Sequence, residues 1–109
     1  MEFTDKAIGI DFGGTSIKFG VVHGKQLVAE APVIIPKDYP KPADLIQAIA
    51  DTVNQLQKEH GDIKAVGCGV PGFVDLRTGR VHNLTNVPGW VNIPLRELLS
   101  EKTNLPCFV

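Results

Sequence analysis

The feature that most constrains this chain is Ile8-Gly9-Ile10-Asp11-Phe12-Gly13-Gly14-Thr15-Ser16-Ile17-Lys18-Phe19-Gly20. It reads as an apolar strand ending in a carboxylate, a tight Gly-Gly-Thr turn and a second strand. Two adjacent glycines let the backbone take positive φ and come close to a ligand. A run of turn N–H groups cradles phosphate oxygens. Thr15 and Ser16 add hydroxyl donors, Lys18 adds positive charge, and Asp11 is placed to hold a hydrated Mg²⁺. The stretch is not a P-loop, because no G-x-x-x-x-G-K-[ST] occurs and a strand follows the turn. The same residues also fit an ordinary hairpin in which Asp11 bonds turn amides.

Composition narrows the classes. The 109 residues suit one domain with a real core, and 43% hydrophobic with 21% charged residues is ordinary for a soluble globular protein. A formal net charge of −1 gives no electrostatic case for nucleic acid or an acidic membrane surface. No apolar run approaches a membrane span, and Met1–Lys6 lacks the pattern of a secretion signal. Cys68 and Cys107 read as small buried hydrophobes in a reducing cytoplasm. No Cys pair has ligand spacing, and His23, His60 and His82 are scattered, so no zinc site is expected.

The order of elements points to an α/β fold. Strands are expected at Lys6–Asp11, Ile17–Val22 and Gln26–Val33, the last with Leu27, Ala29 and Ala31 on one face. Pro32, Pro36 and Pro40 mark a loop, and Pro42 suits the first turn of a helix. Leu45, Ile49, Val53 and Leu56 recur at helical spacing until Gly61. Ile63–Val70 is a nearly unbroken apolar run, as in a parallel strand buried on both faces. Phe73–Val81 reads as a hairpin turning at Arg77-Thr78-Gly79, with Asp75 as a turn residue, and Asn83–Val91 as an irregular loop. Pro94 opens a second helix with Leu95, Leu98 and Leu99 inward, Asn104 caps it, and Leu105–Val109 is a strand. A meander followed by two crossover helices predicts a mixed sheet in β-β-β-α-β-α-β order.

Four ordered motifs carry a resemblance: Gly9-Ile-Asp-Phe-Gly-Gly-Thr-Ser-Ile-Lys18, Gly67-Cys-Gly-Val-Pro-Gly72-Phe-Val-Asp75, Gly79-Arg-Val81 and Asn86-Val-Pro-Gly-Trp90. Together they resemble the N-terminal lobe of ROK-family sugar kinases, glucokinases and polyphosphate glucokinases among them, over nearly the whole chain. The resemblance implies the actin-like, ribonuclease H-like ATPase fold. It implies that Asp11, Gly13, Gly14, Thr15 and Lys18 form the donor's phosphate hairpin. It implies that Gly72, Thr85 and Asn86 meet the sugar, and that Mg²⁺ accompanies ATP or polyphosphate. An amide is suited to fixed sugar hydroxyls because it both donates and accepts. The alternative for Asn83, Thr85 and Asn86 is ordinary loop capping. Trp90 is expected to bury rather than to stack on sugar.

The family's general base, an Asp in an Asn-Asp motif, would follow Val109. The expectation is therefore a single N-terminal lobe, 1–109, of a two-lobed cytoplasmic hexokinase. No catalytic base lies within it, and alone it is inactive. The parent phosphorylates the 6-hydroxyl of a hexose, with glucose the expected acceptor, and the 1–109 chain is expected to self-associate, most simply as a homodimer. The alternatives are a ROK transcriptional regulator, disfavoured because the first strand begins within about six residues of Met1 and leaves no room for a helix-turn-helix, and another actin-like ATPase, disfavoured by the Asn86–Trp90 loop.

Overall fold

The computed structural model describes residues 5–109 apart from Gly14, Thr85, Asn86 and Pro88. Strands β1 (Lys6–Phe12), β2 (Ile17–His23) and β3 (Gln26–Glu30) form an antiparallel meander. Helix α1 (Pro42–His60) then crosses over to β4 (Ile63–Gly69), which pairs parallel with β1. Strands β5 (Gly72–Asp75), β6 (Arg80–Leu84) and β7 (Val91–Ile93) make a separate antiparallel sheet. Helix α2 (Leu95–Thr103) returns the chain to β8 (Cys107–Phe108), parallel to β4. The main sheet thus runs β3-β2-β1-β4-β8.

Alternation along the strands decides where the helices sit. Ile8, Ile10 and Phe12 of β1, Ile17, Phe19 and Val21 of β2, Val66 and Cys68 of β4, and Cys107 of β8 are all buried. They share one core with Leu45, Ile49, Val53 and Leu56 of α1 and Leu95 and Leu99 of α2. Each such Leu, Ile or Phe contributes roughly 1.5–3 kcal/mol when fully buried. Helix α1 begins with Pro42, whose missing N–H costs nothing there, and carries Asp44 in its first turn. It ends at Gly61 with φ 63°. Helix α2 ends on Asn104 in the left-handed region, φ 59°, as the sequence predicts.

Four expectations need correction. Strand β3 stops at Glu30 rather than Val33, ahead of Pro32, which has no N–H for a ladder. Leu27 does not share a face with Ala29: Val22 pairs with Leu27 but Val21 pairs with Ala29, so the bulge turns Leu27 outward, 57% exposed. Strand β4 is covered on both faces only at Ala65 and Val66; beyond them Gly67 and Gly69 leave the second face exposed. The apolar run reflects a helix-covered face and a second face that opens at the glycines. The Asn83–Val91 loop is shorter than expected: β6 reaches Leu84, and Val91 starts β7. Cross-strand pairing with Val81 and Asn83 recruits Ile93 and Val91, residues whose β-branching suits a pleated surface.

Candidate phosphate and sugar site

The hairpin and the turn expected to meet the sugar converge at one end of the sheet. Asp11 lies near the end of β1, opposite Lys18 on β2 and beside Gly69 on parallel β4. Gly72 opens β5 three residues after Gly69. Ligands in open α/β sheets gather outside the carboxyl ends of the strands, and β1 and β4 both end here. Asp11, Thr15 and Lys18 are exposed. Directly opposed residues share a face of the sheet, so the carboxylate and ammonium stand side by side. No salt bridge joins them among the described residues, which leaves both open to a ligand.

Gly13 earns its place by space rather than by φ. Its N–H donates to Ser16 O at 2.9 Å and to Asp11 O at 3.2 Å. A Cβ at Gly13 would sit 2.8 Å from Ser16 O, so any side chain would open the turn. Its φ is not in the left-handed region; the positive φ expected of the Gly-Gly pair is absent at this member. Gly14, the second member, lies outside the described residues, as do Thr85 and Asn86 of the expected sugar loop.

Gly72 is also demanded by packing. A Cβ there would overlap Asn83 O and meet Leu84 Cδ2 at 3.0 Å. The β5–β6 pairing is therefore closer than a side chain allows. Asp75 does the work of a turn: its Oδ1 accepts from Arg77 N at 2.9 Å and Thr78 N at 3.3 Å. Those bonds, that to Arg77 first, hold its carboxyl below the usual carboxylate range.

Trp90 is buried, 1% exposed, as expected. It meets Phe12 edge-on, with centroids 5.1 Å apart and planes at 72°. This contact ties the end of β1 to Trp90, at the end of the 85–90 segment. Sequence reasoning missed it, because no local periodicity links residues so far apart. Trp90 Nε1 is buried without a hydrogen-bond partner.

On the open side of the sheet, Gly9, Gly20, Gly67, Asp11 and Lys18 border a shallow depression of about 340 Å³. A larger hollow of about 540 Å³ lies against α1, between Ile34, Tyr39 and Asp51, and holds no hairpin residue. Among the described residues, no group of three or more His, Cys, Asp or Glu is arranged for a metal, and no helix is long and apolar enough to cross a membrane.

A family model, that of the ROK family, matches residues 7–109. The chain belongs to the ROK family. It is 30% identical over 106 residues to a glucokinase of Halalkalibacterium halodurans, covering 94% of this chain and 32% of that protein. It is 37% identical over 95 residues to an N-acetyl-D-glucosamine kinase of Vibrio parahaemolyticus, covering 86% of this chain and 30% of that one. The crystal structure of a ROK family glucokinase from Streptomyces griseus, in complex with glucose and AMPPNP, superposes with a TM-score of 0.84 at 30% identity. That match covers 95% of this chain and 32% of the kinase. The ROK chain described here therefore spans about a third of the length of these relatives, and its α/β lobe has the actin-like fold they share.

Proposed function

We propose that this ROK chain is the phosphate- and sugar-binding lobe of a hexose kinase, which moves a phosphoryl group from ATP or polyphosphate to the 6-hydroxyl of a hexose, glucose foremost. The observation that carries the proposal is the pairing of exposed Asp11 and Lys18 across the mouth of a hairpin whose turn admits no side chain at Gly13. Phosphoryl transfer asks the protein chiefly for positioning and charge stabilisation. Lys18 supplies the charge, turn amides and Thr15 supply donors, and Gly72 leaves room for the sugar turn. The proposal carries Thr85, Asn86 and Gly14 on their motif positions alone. The kinase relatives, and a neighbour crystallised with glucose and AMPPNP, support the same reading.

Asp11 also fits Mg²⁺. A single exposed carboxylate suits an ion that keeps most of its water and shares the donor's phosphates. When bound there, Mg²⁺ would neutralise charge on those phosphates. Asp11 would hold it and Lys18 would orient the donor beside it.

The test is an assay of the full-length protein with ATP and with polyphosphate against glucose, mannose, fructose and N-acetylglucosamine. Donor-dependent formation of a hexose 6-phosphate is expected. A full-length protein that phosphorylates no hexose with either donor contradicts the proposal.

A further inference from the structure

The two halves of the proposed site belong to different sheets. The donor hairpin closes β1 and β2 of the main sheet, whereas Gly72 opens β5 of the small one. Among the described residues no ladder joins the two sheets, so side-chain packing sets the place of one against the other. Most of that packing is aliphatic: Val81 and Leu84 of β6, and Val87, join the common core. Such contacts are non-directional. At the far end of the small sheet, Arg96 of α2 donates from Nη2 to Arg77 O at 2.9 Å and from its backbone N–H to Gly79 O at 3.3 Å. At the end that carries the site, the contact with a defined angle is the edge-on meeting of Trp90 and Phe12.

Each ring is tied by short links to one half of the site. Phe12 is the last residue of β1; Asp11 precedes it, and Gly13, whose N–H closes the turn onto Asp11 O and Ser16 O, follows it. A shift of Phe12 is therefore a shift of the donor hairpin. Trp90 leads directly into Val91, which pairs with Asn83 of β6, and Leu84, next after Asn83, pairs with Gly72. A shift of Trp90 is therefore carried by the ladder to the turn expected to meet the sugar. Trp90 also holds a buried Nε1–H with no partner among the described residues. Buried donors are ordinarily paired, so shape, not a hydrogen bond, keeps the indole here. Such departures from local consistency are expected where function asks for them. We infer that Phe12 and Trp90 are a positioning pair, which sets the acceptor side of the small sheet against the phosphate hairpin of the main sheet. The rings act through their neighbours, not on the substrates themselves. The inference rests on the sugar-kinase reading and deepens it: the pair governs the rate of transfer rather than the affinity for either substrate.

The experiment compares the full-length protein with Trp90→Phe, Phe12→Leu and the double variant. It uses whichever hexose of the panel above the wild type turns over fastest, with ATP and with polyphosphate. Trp90→Phe keeps an aromatic ring and deletes no hydrogen bond among the described residues. Thermal melts show that each variant is folded at the assay temperature, and Trp90→Phe alone decides if Phe12→Leu is not. A misplacement of about 1 Å made far from the chemistry can cost about 10²-fold in rate. Each single variant is expected to lose about 10-fold or more in kcat, with KM for hexose and donor within about 3-fold of wild type, the pattern of an interaction that matters only in the transition state. The double variant is expected to be little slower than the slower single one, since both act through one contact. Unchanged kcat, whatever the melting temperature, makes the pair purely structural and overturns the inference. So does a raised hexose KM at wild-type kcat, or losses that multiply in the double variant. Inactivity of the wild type toward every hexose, by contrast, is failure of the sugar-kinase reading itself, and takes the pair with it.

Discussion

Phe12 and Trp90 hold together two segments that sequence separates. Phe12 is 1% exposed and packs edge-on against Trp90. Removing its ring should leave a cavity at the junction of β1 and the 85–90 segment. Phe12→Ala is expected to destabilise the lobe by about 3–5 kcal/mol, read as a lower urea midpoint with an unchanged slope; a loss below about 1 kcal/mol would mean that the pair packs loosely. Cys68 gives a second prediction. Burial, with smaller contributions from Cys107 and Asp11, pushes its thiol up to about 12. At pH 8 only about 10⁻⁴ of a thiol with such a pKa is thiolate. A thiol reagent should therefore label Cys68 only after unfolding, and labelling of the native protein at the rate of a free thiol would contradict this.

At the scale of elements, the β5–β6 turn has a pH-dependent anchor. The carboxylate of Asp75 is favoured in the folded hairpin, because Arg77 N and Thr78 N donate to it. A lowered folded pKa means that the contribution is complete above the ordinary carboxylate value, about pH 4, and is lost as pH falls through the lower folded value. Protection of the Arg77 and Thr78 amides against hydrogen exchange should therefore weaken below about pH 4. Asp75→Ala should remove that dependence, and an equal acid response in the variant would refute the assignment. The role of Asp75 was legible because a carboxylate two residues before a turn has few other local partners. So were α1, α2 and the meander, where period and caps agree. The bulge at Leu27 was not legible, since a one-residue insertion leaves local composition unchanged while turning a side chain over. Strand β7 was missed because its three residues are too few to show alternation and its pairing partners lie on another strand. Of the site, Asp11 opposite Lys18 could be read from the hairpin's symmetry, whereas the closeness of Gly72 to Asn83 O needed coordinates.

At the scale of the whole molecule, both helices cover one face of the main sheet. On the other face, a Cβ at Gly9, Gly67 or Gly69 would meet nothing within 4 Å. Leu27 and Phe108, 57% and 61% exposed, flank this trough. Parallel strands are normally covered on both faces, and bare apolar surface of several hundred Å² usually marks an association site. The 109-residue chain is therefore expected to self-associate, most simply as a two-fold dimer. Sedimentation showing only monomer at high micromolar concentration, with no binding of an apolar dye, would contradict this.

The central claim is that the Asp11–Lys18 hairpin is a phosphoryl-donor site, and steady-state kinetics of the full-length protein and its Asp11→Ala variant, with glucose, Mg²⁺ and each donor, test it most directly. The account predicts a loss of at least about 10²-fold in kcat for Asp11→Ala, as for removal of a group that stabilises transferring charge. An Asp11→Ala protein that turns over at close to the wild-type rate would contradict it.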